Sequence, residues 1–150
     1  MPIYCEPISD EKIIKGLDGS KNVLVIGCGT CANVSYNIYD GGKEPFANIM
    51  KKPLAILQEG NRLKSMLIEK GFNVDTVISQ GLCVQRKKTK KISQKINQFD
   101  ALLILSCKGG IDTFSDFSES KKIVAGMQLK GFKSVEFERK GLNIYIKSIA

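Results

Sequence analysis

The sequence predicts an α/β fold built on a mostly parallel sheet. Near-continuous apolar runs at residues 22–27 and 101–107 are typical of strands that are covered on both faces. Segments with helical spacing of apolar residues separate these runs, and alternating strands and helices favour a parallel sheet with crossover connections. We therefore expect a three-layer, doubly wound sheet of the Rossmann or flavodoxin kind, with a C-terminal antiparallel hairpin at its edge.

Composition limits what the chain can be. A hydrophobic share of 43% over 150 residues can fill one core, so residues 1–150 are expected to form a single domain. No apolar run approaches the roughly 20 residues that span a bilayer, and the N-terminus lacks the pattern of a signal peptide. We expect a cytoplasmic protein without a membrane partner.

The sequence contains no histidine, which excludes Ser-His-Asp triads, Cys-His pairs and His-containing zinc sites.

The first half of the chain predicts four elements in order. Ser9 is a suitable N-cap for a short helix, and the buried strand at residues 22–27 comes next. Apolar residues at helical spacing from Ile56 to Leu67 predict a helix that faces the core and ends at Gly71. Residues 72–79 have the composition of a second strand.

A basic run at residues 86–91, RKKTKK, leads into a predicted helix marked by Ile92, Ile96 and Phe99. It contributes to the net charge of +8. No aromatic side chains interleave with it to stack bases, which argues against nucleic-acid binding. We expect a solvated face, or a docking surface for an acidic protein such as an electron carrier.

Four predicted features complete the chain. Residues 101–107 predict a third buried strand, and Gly109-Gly110 predicts a loop. A helix is expected near residues 118–127. Two alternating segments around Lys140-Gly141 predict the terminal hairpin.

Cysteines occur at or just after all three predicted buried strands: Cys28, Cys31, Cys83 and Cys107. Neighbouring parallel strands lie about 4.8 Å apart, so we expect the four sulfurs to meet at one edge of the sheet. Four thiolates suit a four-iron cluster or a tetrahedral zinc ion. The alternative is that some of these cysteines are simply small buried apolar side chains. Cys5 is expected to lie in an N-terminal tail as a bystander.

Three glycines are predicted to contact the cofactor: Gly27, Gly29 and Gly109. A backbone without side chains can fold tightly around a metal and direct N–H groups at its sulfurs. No residue is predicted to be catalytic. Asp112 is the carboxylate nearest the predicted site, and we expect it to cap a helix or a turn.

Two other interpretations use the same residues. GCGTCA, residues 27–32, fits the G-x-G-x-x-A fingerprint of a dinucleotide-binding domain, but the nearest carboxylate on the second strand, Asp75, is not at the strand end where a ribose partner is expected. CGTC, residues 28–31, resembles the dithiol of a thiol-disulfide oxidoreductase, which would leave Cys83 and Cys107 unused. Both interpretations remain open at this point.

Residues 23–34 (VLVIGCGTCANV), the Gly-Gly turn after them, Cys83 and residues 102–112 (LLILSCKGGID) resemble a known family. It is the small partner subunit of methylenetetrahydrofolate reductase from acetogenic and related anaerobes, which also occurs as a C-terminal domain of the reductase. In that family the cysteines bind an iron–sulfur cluster, and the subunit accompanies a flavin-containing catalytic subunit.

The resemblance, over most of residues 20–115, implies an accessory subunit in one-carbon metabolism that transfers electrons or has a structural role. It implies a [4Fe–4S] cluster, or alternatively Zn²⁺, with four ligands: Cys28, Cys31, Cys83 and Cys107. The implied partner is a flavin-containing catalytic subunit or an electron-carrier protein. The family commonly has a third cysteine four residues after the C-x2-C pair, where this sequence has Ser35.

Overall fold

The computed structural model describes residues 3–42, 44–48, 50, 52–82, 86–117 and 121–149. In chain order the elements are β1 (Ile3–Pro7), α1 (Asp10–Gly16), β2 (Asn22–Cys28), α2 (Cys31–Tyr39), β3 (Ala47–Asn48), α3 (Leu54–Glu69), β4 (Asn73–Ser79), α4 (Arg86–Lys95), β5 (Ala101–Leu105), α5 (Lys108–Phe117), β6 (Lys122–Ala125), β7 (Met127–Phe132), β8 (Val135–Lys140) and β9 (Asn143–Ile149). A 3-10 turn at Ile96–Gln98 follows α4.

A four-stranded parallel sheet in the order β4-β2-β5-β6 forms the centre of the fold. β2 pairs on both sides, so that Gly27 lies opposite Ile78 of β4 and Leu105 of β5. Residues 23–26 are 0% exposed, as expected of an apolar strand covered on both faces. The predicted α/β class and its three predicted parallel strands are confirmed.

The strand order reverses at β2. From β2 the chain crosses to β4 on one side, and later to β5 and then β6 on the other. In open α/β sheets, loops that leave the carboxyl ends on the two sides of such a reversal diverge and open a crevice. Here that position lies between the end of β2, at Cys28, and the end of β5, at Leu105.

The start of α1 and the end of α3 lie where the sequence predicts them. The Ser9 hydroxyl accepts a hydrogen bond from the Lys12 amide at 3.4 Å and caps α1. Gly71, with a φ of 95°, follows α3 in the left-handed conformation that glycine adopts most readily. The basic run opens α4, in which Lys90 and Lys91 are exposed. No helix in the described ranges combines the length and the apolarity that crossing a membrane requires.

The prediction for residues 109–127 is wrong. Gly109 and Gly110 lie inside α5, not in a loop. Where a helix is expected, near residues 118–127, the structure has β6 and the start of β7; residues 118–120 lie outside the described part of the chain. Gly110 is in the first turn of α5, where a Cβ would collide with the side chain of Ser106. Gly110 therefore allows the first turn of α5 to pack closely against Ser106, and the two glycines do not form the predicted loop.

The predicted terminal hairpin is confirmed, but the prediction that it lies at the edge of the parallel sheet is wrong. β8 and β9 pair antiparallel around Gly141, which has a φ of 63°. They form a separate sheet with β3, in the order β3-β9-β8, and do not extend the parallel sheet. The Phe46 amide donates to the Ile144 carbonyl at 3.0 Å, and the rings of Phe46 and Phe137 stack 4.7 Å apart. These contacts hold the hairpin against β3 and the residue that precedes it.

The N-terminal residues form a strand that the sequence does not reveal. β1 pairs antiparallel with β7, with Cys5 opposite Leu129. The pairing joins segments that are 120 or more residues apart, so no local pattern marks it. It makes Cys5 part of the hydrophobic core, with an exposed fraction of 1%.

Two glycines beside the same isoleucine test how α3 packs on the sheet. A Cβ at Gly27 would lie 2.6 Å from Ile78 Cδ1 and 3.0 Å from Ile56 Cγ1, whereas one at Gly60 within α3 would lie 3.6 Å from Ile78 Cδ1. We expect Gly27→Ala to lower the free energy of unfolding by ~1–3 kcal/mol because it overpacks the core.

The matched variant Gly60→Ala should leave stability unchanged or raise it by ~0.5–1 kcal/mol, since alanine favours a helix interior and its methyl group fits there. Urea unfolding monitored by circular dichroism measures both variants. Equal stabilities for the two variants would contradict the described contact between α3 and β2.

Candidate metal and thiol site at the strand ends

Cys28 is the last residue of β2 and is 4% exposed. Its Sγ lies 3.0 Å from the Thr30 Oγ1, and either atom can be the donor. Thr30 is the N-cap of α2, yet its side chain makes no capping hydrogen bond. The Thr30 hydroxyl therefore contacts the thiol and leaves the first amides of α2 without a side-chain cap.

Cys31 is the first residue of α2 and is half-buried. It borders a largely apolar cavity of about 490 Å³. The cavity is lined by Gly29, Thr30, Cys31, Val34, Phe46, Ser134, Val135 and Phe137. The terminal hairpin thus supplies one wall of a pocket that reaches the thiol-bearing start of α2.

Cys107 lies between β5 and α5 and is half-buried. Its carbonyl accepts hydrogen bonds from the amides of Gly110 at 3.1 Å and Ile111 at 3.3 Å, and from the Ser106 hydroxyl at 2.7 Å. The residue is therefore held by its backbone at the start of a helix. Because β5 neighbours β2 in the sheet, Cys107 lies at the same edge as Cys28 and Cys31.

Cys83, the fourth predicted ligand, lies outside the described residues. The residue before it, Leu82, is 1% exposed. Its Cβ lies 3.5 Å from the position that a Cβ would take at Gly110, in the first turn of α5. At Leu82, one residue before Cys83, the chain leaving β4 therefore passes beside the first turn of α5, the helix that follows Cys107.

The expectation that Cys5 lies in a tail is wrong, because it is a buried residue of β1. Its amide donates to the Ser35 hydroxyl of α2 at 3.0 Å. Burial, and to a smaller extent the thiols of Cys107 and Cys31, raise the pKa of the Cys5 thiol to about 11. Cys5 is therefore close enough to both predicted ligands to interact with them electrostatically.

The described thiols do not form a complete metal site by themselves. Across the described ranges, no three Cys, Asp or Glu side chains lie close enough together to hold a metal ion. Cys28, Cys31 and Cys107 share a sheet edge, which is the arrangement that the sequence predicts, but a four-thiolate site also requires Cys83. Ser35, at the position of the family's third cysteine, accepts a hydrogen bond from β1.

The predicted cofactor-binding glycines have roles within the fold. Gly27 lets α3 approach the sheet, and the Gly29 amide donates to the Ser79 carbonyl at 2.9 Å, extending the ladder of β2 and β4. The Gly109 carbonyl accepts a hydrogen bond from the Thr113 hydroxyl at 2.8 Å. A Cβ at Gly29 would lie 3.1 Å from Pro53 Cγ, so the turn after β2 is tightly packed.

Asp75 and Asp112, the two carboxylates weighed in the sequence analysis, both form ion pairs. Asp75 lies within β4, opposite Leu24, and pairs with Lys95 at 3.0 Å. It is not at the carboxyl end of its strand, where the ribose of a dinucleotide would be bound. Asp112 is a residue of α5 that pairs with Lys108 at 3.2 Å one turn earlier, so the expectation that it caps a helix or turn is wrong.

Comparison of the chain with protein-family models, with curated proteins and with solved structures finds no match. The class of this protein therefore has to be defined from its fold and its candidate site alone. It is an α/β protein with a four-stranded parallel sheet and cysteines at the carboxyl ends of two adjacent strands.

The burial of Cys5 predicts a difference in thiol reactivity. In the reduced, metal-free protein at mildly alkaline pH, we expect iodoacetamide to modify Cys107 at least about tenfold faster than Cys5, because the thiolate is the nucleophile and Cys5 is both buried and hard to ionise. Peptide mass spectrometry over a time course measures both rates. In denaturant the two rates should become equal, and equal rates in the native protein would contradict the placement of Cys5 in the core.

Proposed function

We propose that this chain is a cytoplasmic accessory subunit that holds a [4Fe–4S] cluster and works beside a flavin-containing partner. The ligands are Cys28, Cys31, Cys83 and Cys107. The observation that carries the proposal is that two adjacent parallel strands bring cysteines to one sheet edge, where the strand order reverses. The proposal includes a doubly wound, Rossmann- or flavodoxin-like layering of helices around that sheet.

The donor set fits a thiolate-bound group. The sequence has no histidine, so soft sulfur ligands are the ones it offers at this edge, and these favour iron–sulfur clusters and zinc. A bound cluster supplies one-electron transfer. The chain supplies burial at Cys28 and a hydroxyl on Thr30 that can donate to the Cys28 sulfur, both of which tune a reduction potential.

The particular protein proposed is the small partner subunit of a methylenetetrahydrofolate reductase-type enzyme in one-carbon metabolism. Its support is the residue pattern around the cysteines, together with the chemistry of the strand-end site. The apolar cavity beside Cys31, with the stacked Phe46 and Phe137, gives the catalytic partner or an electron carrier a place to approach the site. The net charge of +8 favours an acidic partner surface.

Anaerobic purification followed by determination of iron, zinc and acid-labile sulfide per chain tests the proposal. We expect about four irons and four sulfides, with broad absorption around 400 nm. Cys28→Ser and Cys107→Ser should each reduce the bound iron at least about fivefold, because serine is a much poorer ligand for this cluster.

Cys5→Ala is the matched control, since it removes a thiol near the site without removing a proposed ligand, and it should retain the iron. About one zinc per chain in the wild type would assign the structural Zn²⁺ alternative. Iron retained in both ligand variants would contradict the proposed ligand set.

The dithiol of Cys28 and Cys31 carries the second candidate function, a thiol-disulfide oxidoreductase. Cys31 borders the apolar cavity and so lies where a substrate could reach it. This function predicts reductase activity without bound metal, and the activity should survive Cys107→Ser and disappear in Cys31→Ser. A measured activity with that pattern would replace the cluster proposal.

A further inference from the structure

β4 lies at one edge of the central sheet, and within the described ranges no strand pairs with it on the side away from β2. All seven residues of β4 pair with β2 in continuous register, without a bulge. Residues 74–79 are each partly exposed, whereas residues 23–26 of the neighbouring strand are fully buried. The outer side of β4 is therefore open along the length of the strand.

Two hydrogen bonds show which backbone groups of β4 face outward. The Asn73 amide donates to the Lys21 carbonyl, and the Ser79 carbonyl accepts from the Gly29 amide, each at 2.9 Å. Successive residues of a strand direct their N–H and C=O groups to opposite sides, so the odd-numbered residues face β2 and the even-numbered ones face away. The outward groups belong to Val74, Thr76 and Ile78.

The edge of β4 lacks the features that usually prevent pairing with another chain. Edge strands are normally short, bulged or rich in charge. β6, at the opposite edge of the sheet, has four residues, and β8 has four charged residues and a register shift against β9. The one charged residue of β4, Asp75, pairs with Lys95 at 3.0 Å. Asp75 also accepts the Thr76 amide at 2.8 Å, a local bond that a second strand would replace.

The sequence of β4, NVDTVIS, is self-complementary about Thr76. In an antiparallel pair of two copies centred on this residue, the outward groups of one copy meet those of the other. Thr76 then faces Thr76 of the second copy, and Val74 faces Ile78. Asp75 faces Val77, so no like charges lie directly opposite each other. Pairs of threonines and of β-branched apolar residues across two strands stabilise a sheet.

Helix α3, which packs on β4, presents apolar side chains on the same open side. Leu57 and Ile68 are separated by about three helical turns and so lie on one face of α3. Leu57 lines a cavity with Ile78, which places this face beside the edge of β4. The other flank of α3 is directed toward α1, where Arg62 pairs with Asp10. Ile68 is 49% exposed, so the face beyond β4 is an uncovered apolar surface.

The spacing of the sheet brings two copies of α3 into contact. The helix packs on both β2 and β4. If a second β4 lies about 4.8 Å beyond the first, the two copies of α3 are about 10 Å apart, the distance at which helices pack. The two helices are antiparallel, so Leu57 of each copy lies toward Ile68 of the other. The charge between them, Lys64, lies near Asp75, whose pKa is lowered first by the hydrogen bond from Lys95 and less by Lys64.

We propose that a second copy of this chain binds at the edge of β4, with a two-fold axis at Thr76, and joins the two central sheets into one. A second copy fits because the strand and the helix face are both complementary to themselves, as a two-fold interface requires. The interface lies on the β4 side of the sheet, whereas Cys28 and Cys107 follow β2 and β5. The proposed metal site therefore stays open to a different partner.

Size-exclusion chromatography with light scattering tests the proposal on the whole chain in reductant, from micromolar to near-millimolar protein. We expect the wild type to reach twice the mass of one chain. Thr76→Pro should remain at the mass of one chain with the circular dichroism of the wild type, because the Thr76 amide faces away from β2 and proline is tolerated on the open side of an edge strand.

Ile68→Glu tests the helix contact without changing the strand. It should weaken dimerisation at least about tenfold, because it buries a carboxylate in each copy without a partner. Ser65→Glu is the matched control, since it adds the same charge at an exposed position of α3 that lies off the Leu57 and Ile68 face. It should leave the dimer affinity unchanged.

Amide hydrogen exchange measured by NMR identifies the strand directly. In the dimer, the amides of Val74, Thr76 and Ile78 should exchange at least about tenfold more slowly than in Ile68→Glu. A wild type that stays at the mass of one chain would overturn the proposal. So would a dimer whose affinity Ile68→Glu leaves unchanged, or one in which these amides are not protected. These readouts also decide the matter if Thr76→Pro does not fold.

None of these measurements uses iron or a catalytic partner. The dimer proposal can therefore fail while the cluster proposal stands, and the reverse also holds.

Discussion

The enclosure of β2 is the constraint on which the rest of the structure depends. Residues 23–26 are completely buried: β4 and β5 pair with β2 on its two sides, and helices α2 and α3 pack against the strand. Burying such a strand satisfies its backbone hydrogen bonds and removes a large apolar area from water. Its carboxyl end must then lie at the crevice where the strand order reverses. Cys28 and the start of α2 are placed there as a consequence.

Helix α2 links that strand end to the surrounding elements through buried polar groups. Asn33 donates to the Phe46 carbonyl at 2.8 Å and accepts from the Ile56 amide at 2.9 Å. Ser35 accepts from β1, and Asn37 donates to the Glu44 carbonyl at 2.7 Å. Each of these bonds satisfies a backbone group outside α2, which makes the orientation of the helix specific. The helix thereby holds Cys31, its first residue, in place.

The predictions from sequence succeeded where local patterns decide the structure. The apolar run of β2, the helical spacing in α3 and the glycine at position 71 each specify an element from its own residues. They failed where a neighbour distant in the chain decides it. β1 pairs with β7, which lies near the other end of the chain, and Phe137 of the hairpin stacks on Phe46, which precedes β3. Neither contact leaves a periodic signal in the sequence.

The candidate sites show the same division between what local sequence specifies and what contacts between distant residues decide. The sequence by itself determined that cysteines follow buried strands, since the end of an apolar run and the position of a thiol are both readable from local order. Only the tertiary structure decided that Cys5 is buried in the core through the pairing of β1, and that the terminal hairpin forms one wall of the cavity beside Cys31. The physical reason is that strand pairing and helix packing join residues far apart in the chain, and such contacts depend on the burial of the whole core.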